Sequence, residues 1–270
     1  MLLVMCWLIF LGGCRHIEEK ETPAATHAIS TSVTVKTTTS TTRQTTSTRG
    51  QVPTTVQTTT KTTHNTSQST YASHVIQNVP LICQFPEFPS GCESVASVIA
   101  LQYAKERISV TSFINNHLSM DAMYRKDGVL YGPDPYEQFV GDPRSQYALG
   151  CFAPVIEKAL VRCLGDEKRV KNTTGETLDR LCQHYISRDI PVLVWVSIYM
   201  KDTGQGNVWY TENGKRFQWI TNEHCMVLIG YDAHGYYFND PYSGKQLYYD
   251  KALSARRYDT FGKQSLVILP

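Results

Sequence analysis

The residues with the most chemical potential lie in Gln84-Phe85-Pro86-Glu87-Phe88-Pro89-Ser90-Gly91-Cys92-Glu93-Ser94 and in Asn222-Glu223-His224-Cys225-Met226. Pro86, Pro89 and Gly91 make the first segment a loop. Val95, Val98, Ile99 and Tyr103 then fall on one helical face, so a helix is expected to begin at Cys92. A thiol of pKa about 8.5 is mostly protonated at neutral pH, and the positive end of a helix dipole favours its anion. Cys92 is therefore a candidate nucleophile; the alternative is a buried structural cysteine. Gly91 would let a substrate backbone approach. The Gln84 amide would face the oxygen that turns negative when sulfur attacks a carbonyl. Glu93 reads as a favourable acid in the first helical turn, or as a group that perturbs the thiolate.

A cysteine nucleophile needs a base and a group that orients the base. His224 opens an apolar strand in which His224, Met226 and Leu228 share one face and Cys225, Val227 and Ile229 the other. The next strand ends in Phe238-Asn239-Asp240-Pro241. A hairpin through Asp232-Ala233-His234-Gly235 would return Asp240 to the level of His224, where a carboxylate can fix the imidazole tautomer. His117 and His184 fall on predicted helices and read as surface or satisfied core residues. The aromatics Trp209, Tyr210, Phe217 and Trp219 suit a substrate groove or ordinary packing equally. No Cys/His spacing suits zinc, no phosphate-binding glycine loop is present, and no Asp/Glu cluster for a metal is evident. No cofactor is implied.

These residues must be positioned by the part of the chain that can fold. Of 270 residues with a net charge of +2, those from 74 to 270 carry patterned sequence, one domain's worth. The near balance of charge gives no case for a nucleic-acid partner. Helical periodicity over Val110 to Leu118, Pro154 to Leu164 and Thr177 to Ile186 precedes apolar strands over Pro191 to Tyr199, His224 to Tyr231, Tyr236 to Asn239, Gln246 to Tyr249 and Ser265 to Leu269. Asp127 to Gly150 reads as a long loop. Helices first and strands later predict an α+β fold, N-terminal helices packed on a C-terminal antiparallel sheet.

Residues 1–20 read as an export signal with a lipidation site. Leu2 to Leu11 is apolar but too short to span a hydrocarbon core of about 30 Å. It ends in Leu11-Gly12-Gly13-Cys14, like a bacterial lipobox, with Cys14 as the acylated residue; the alternative is an uncleaved anchor. Both put the domain on the extracellular face of the cell membrane. Residues 21–73 are roughly two-fifths threonine, a composition that cannot offset ordering entropy of about 1–2 kcal/mol per residue. A disordered spacer reaching on the order of 150 Å is expected. Beyond Cys6 and Cys14, the cysteines show no Cys-x-x-Cys pair, and no disulfide is assigned.

The domain resembles papain-like cysteine peptidases of the bacteriocin-leader-processing type, in their stand-alone, exported branch. The resemblance rests on Val79-Pro80 leading to Gln84, Pro89-Ser90-Gly91-Cys92-Glu93-Ser94, Asp142-Pro143, Gly150-Cys151-Phe152-Ala153-Pro154, His224 before its strand, and Asn239-Asp240-Pro241. It implies a papain-like fold with Cys92 as nucleophile, His224 as base, Asp240 as orienting group and Gln84 as oxyanion donor. It also implies a peptide or protein substrate; the membrane tether would suit an alternative, an amidase or endopeptidase acting on cell-wall stem peptides. A catalytically silent surface binding module, displayed as a monomer on its stalk, is the reading outside enzymes.

Overall fold

The computed structural model describes residues 73–270; the expected signal, Cys14 and the threonine-rich spacer lie outside them, apart from Ser73. Its element order is β1 (His74–Val75), α1 (Cys92–Tyr103), α2 (Val110–His117), β2 (Met120–Asp121), β3 (Tyr124–Lys126), β4 (Val129–Tyr131) and β5 (Phe139–Val140). There follow α3 (Ala153–Leu164), β6 (Val170–Asn172), α4 (Leu178–His184), β7 (Val192–Ser197), β8 (Gln205–Tyr210), β9 (Arg216–Ile220) and β10 (Glu223–Tyr231). The chain closes with β11 (Gly235–Asp240), β12 (Lys245–Asp250), α5 (Lys251–Thr260) and β13 (Ser265–Ile268). The α+β class and the order of helices before the main strands agree with the sequence pattern.

The main sheet runs β12-β11-β10-β7-β13-β6, with β1 added beside β10, and every pair is antiparallel. Strand alternation gives it two buried faces. Cys225, Val227 and Ile229 pack with α1 and α3 through Val95, Ile99, Ile156 and Leu160. Met226 and Leu228 pack on the other side with Leu181 of α4 and Tyr258 of α5. Helix α5 has too little apolar periodicity to be read in the sequence; its signal is Asp250, whose carboxylate caps the Leu253 N–H. Helix α1 is buried along Cys92–Leu101, which explains why apolar residues surround it rather than forming a stripe.

The stretch expected as a long loop is more ordered than that. Within Asp127–Gly150 lie β4, which joins β3 and the β8–β9 hairpin in a second sheet, and β5, which pairs with β2. Trp209 is fully buried and donates from Nε1 to the Pro133 carbonyl at 2.9 Å, while Trp219 stacks on Phe152. Packing is the role of these two tryptophans. Cys83 is disulfide-bonded, whereas Cys92, Cys151, Cys163, Cys182 and Cys225 are free. No helix among the described residues is long and apolar enough to cross a membrane.

Candidate active site

Cys92 opens α1, as the sequence pattern requires. Gly91 precedes it with an ordinary negative φ, and its need for glycine comes from packing. A Cβ there would lie 2.8 Å from the Phe88 Cβ and 3.2 Å from the Pro143 Cβ. The expectation that Gly91 clears space for a substrate is thus replaced by a tight contact inside the protein. Pro143 also accepts the Ser90 N–H at 3.2 Å, so Asp142-Pro143 braces the loop that presents Cys92.

Cys92 is 6% exposed and is not at the mouth of an open groove. It donates to Glu93 Oε2 at 3.2 Å, and no hydrogen bond joins it to His224. Burial pushes the thiol well above its ordinary range, and the Glu93 and Glu223 carboxylates push it the same way. A backbone hydrogen bond from Cys225 opposes them weakly. The helix dipole was expected to ionise Cys92; desolvation and two acids win instead, because burial penalises the charged form more than a partial charge favours it. A surface hollow of about 610 Å³ is lined by Gln102 and Lys105–Ser109, at the opposite end of α1, and does not reach the sulfur.

His224 and Asp240 meet as the hairpin argument predicts. Imidazole Nε2 lies 2.5 Å from Asp240 Oδ1, and both side chains are buried. Strands β10 and β11 bring them together through the turn that follows Tyr231, where Asp232 Oδ1 accepts the His234 and Gly235 N–H groups. Asp240 also accepts from the backbone N–H of Tyr242 and of Ser243 at 2.9 and 3.1 Å. Burial raises its pKa, but the His224 hydrogen bond and charge, with those of Ser243 and Tyr242, outweigh burial and hold the carboxyl below its usual range. His224 and Cys92 approach the same short length of main chain: the sulfur meets the backbone of Cys225, the residue after His224.

Gln84 sits between the two halves of the site. Its backbone N–H donates to the Pro241 carbonyl at 2.9 Å, tying it to the Asp240 turn. Its side chain is buried and turned inward, with Nε2 donating to the Pro89 carbonyl at 2.8 Å and Oε1 lacking a partner. The amide therefore does not face open space beside Cys92. Asn239 fixes the Val79-Pro80 segment by donating to both carbonyls, at 3.1 and 2.9 Å.

One aromatic ring packs on the imidazole and two more pack on that ring. Tyr242 lies edge-on to His224 at 6.0 Å, to Phe85 at 4.9 Å and to Tyr199 at 5.6 Å. Tyr199 and Met200 both have φ of 52°, a strained region for L residues, and Tyr199 is 38% exposed.

Two acids behind the sulfur belong to the site and were not singled out as a pair by sequence reasoning. Glu93 is fully buried, with Oε1 accepting the Cys151 N–H at 2.6 Å. Glu223, on the Cys225 face of β10, is 8% exposed, and its Oε1 has no partner. Gly150 separates them: its φ is 136°, and a Cβ would fall 2.5 Å from Glu93 Oε1 and 2.9 Å from Glu223 Oε2. Burial raises Glu93 to about 7 despite hydrogen bonds from the backbone and Cys92 and the nearby His224 charge. Burial and then the Glu93 charge raise Glu223 further above the carboxylate range. The signal in the sequence was strand alternation, which puts Glu223 on the core-facing side.

The Peptidase C39-like family model matches residues 76–266. The chain belongs to the Peptidase C39-like family. All the residues gathered around Cys92 and His224 fall inside the matched C39-like domain. The C39-like domain also superimposes on the crystal structure of a Bacillus anthracis protein described as a C39-like peptidase, with a TM-score of 0.65. That pair shares 24% identity, covering 74% of this chain and 98% of the other, and so shows the fold. No curated protein matches the chain.

Proposed function

We propose that this C39-like domain is a cysteine peptidase that hydrolyses peptide bonds with Cys92 as nucleophile, His224 as base and Asp240 as orienting group. The observation that carries the reading is the buried His224–Asp240 contact at 2.5 Å, formed where the main chain passes the Cys92 sulfur. Asp240, held ionised, fixes the imidazole tautomer and stabilises the imidazolium. The reading requires the thiol to exchange Glu93 for His224 as its acceptor. Sulfur then attacks the carbonyl carbon, its proton passes to His224, and the Cys92 N–H with the Gln84 amide receives the oxyanion. His224 returns the proton to the leaving amine, and water hydrolyses the thioester. Gln84 can join only by releasing the Pro89 carbonyl.

Replacing Cys92 by Ala is expected to abolish hydrolysis and labelling by a thiol-reactive peptide probe, with an unchanged circular dichroism spectrum. Full activity in that variant contradicts the assignment.

The burial of Cys92 and its bond to Glu93 favour a second reading, a silent binding module. In that case Cys92 stays unreactive until the protein unfolds. Purified cell wall as substrate, with released amines as the readout, separates a stem-peptide amidase from an enzyme acting on proteins.

The site of action follows from the sequence ahead of the domain. Cys14 would carry the lipid that holds the domain outside the membrane, and Cys14→Ser is expected to shift the protein to the soluble fraction.

A further inference from the structure

Two buried acids, Glu93 and Glu223, lie behind Cys92. Ligand atoms of Cys92, Glu93 and Glu223 lie within 4.8 Å of one another, all three residues buried. Among the described residues, no lysine or arginine ion pair reaches either carboxylate, and the positive group that acts on Glu93 is His224. Two carboxylates and a sulfur held together away from water are costly unless protons or a cation neutralise them.

We infer that Cys92, Glu93 and Glu223 form a binding site for a divalent cation of the zinc type, which takes the Cys92 sulfur out of reaction when it is occupied. The donor set of one sulfur and two carboxylate oxygens suits Zn²⁺. Tetrahedral zinc with bonds of about 2.3 Å to sulfur and 2.0 Å to oxygen sets sulfur and oxygen roughly 3.5 Å apart. Cys92 Sγ and Glu93 Oε2 already stand 3.2 Å apart. The other oxygen of Glu93 is held by the Cys151 N–H, the kind of outer contact that orients a ligating carboxylate. Independently of the cluster's own hydrogen bonds, Glu223 Oε1 is a buried acceptor with no partner among the described residues. A cation would satisfy it.

Binding exchanges the thiol proton, and any proton on the carboxyls, for the ion; these protons pass to solvent. Affinity therefore rises with pH, about tenfold per unit for each proton displaced. The site stands whether or not the peptidase reading holds, and only its inhibitory consequence rests on that reading.

The test is a Co²⁺ titration of the full chain, its Cys83 disulfide intact, at about pH 7.5, followed by near-ultraviolet thiolate-to-cobalt absorption, with Zn²⁺ added afterwards. One ion per chain is expected, with a charge-transfer band that Zn²⁺ removes and that Cys92→Ser lacks. Glu223→Gln and Glu93→Gln are expected to weaken binding at least about tenfold, the low end for losing a ligand or its support; two variants are read in case one fails to fold. Absence of a saturable band, its survival in Cys92→Ser, or unaltered affinity in the carboxamide variants overturns the site. Peptide hydrolysis is measured separately in chelator. An inactive chain that still binds Co²⁺ removes the peptidase reading and leaves the site.

Discussion

His224 Nε2 lies 2.5 Å from Asp240 Oδ1, with the two side chains 2% and 1% exposed. Neighbouring antiparallel strands, joined by a short turn, fix this contact before any substrate is present. Asp240 is held by two further backbone N–H groups, so the pair is oriented by the fold.

Asp240→Asn keeps the shape and removes the charge. In the proposed mechanism the imidazolium then loses its stabilising partner and the tautomer is no longer fixed. The expected loss is about 10²–10⁴-fold in kcat with KM little changed, measured by steady-state hydrolysis of a peptide substrate.

Gly150→Ala places a methyl group against both buried acids and puts an alanine at φ of 136°. Backbone strain and displaced carboxylates are expected to cost about 1–3 kcal/mol, read as a lower urea midpoint with unchanged slope.

The carboxyls give opposite pH dependences. Asp240 is held below its ordinary pKa and Asp232 is lowered to about 2 by the backbone N–H groups of His234 and Gly235 and by Tyr248 and Tyr237 against some desolvation. Depressed groups contribute stability above their unfolded pKa that is lost as pH falls through the folded value, so acid destabilises below about pH 4. Glu93, raised to about 7, and Glu223, raised further, do the reverse: their contribution is lost as pH rises from about 4.5. Glu223→Gln is therefore expected to raise Tm more at pH 8 than at pH 5, by roughly 2–4 °C for each kcal/mol regained. Differential scanning calorimetry at the two pH values checks the sign.

Tyr199 offers a half-exposed ring from a strained backbone beside Tyr242, the ring that packs on His224. Tyr199→Gly relieves the strain while removing the ring. Stability is expected to stay within about 1 kcal/mol of wild type, while KM for a peptide rises. Unchanged KM would assign the ring to packing.

Much of this arrangement was legible in the sequence because it follows from periodicity. The helix starting at Cys92, the β10–β11 hairpin and the return of Asp240 to His224 each depend on local pattern and on a recognisable turn. What stayed hidden depends on contacts between distant segments. Glu93 looks like an exposed first-turn acid until residues 150–151 and β10 close over it. The same closure buries Cys92 and reverses the expected direction of its pKa. Residues 127–150 looked like loop because their strands, β4 and β5, are three and two residues long and gain their partners from β3, β8 and β2.

The central claim is that the sulfur of residue 92 attacks carbonyl carbon with the help of residue 224. The most direct measurement is the rate at which an electrophilic peptide probe labels native wild-type protein and His224→Ala, with the labelled position found by peptide mass spectrometry. The account predicts labelling confined to Cys92 in the folded wild type and slowed at least about 100-fold in His224→Ala, the low end for a general base. Equal rates in the two proteins, or labelling of Cys92 only after denaturation, would contradict it.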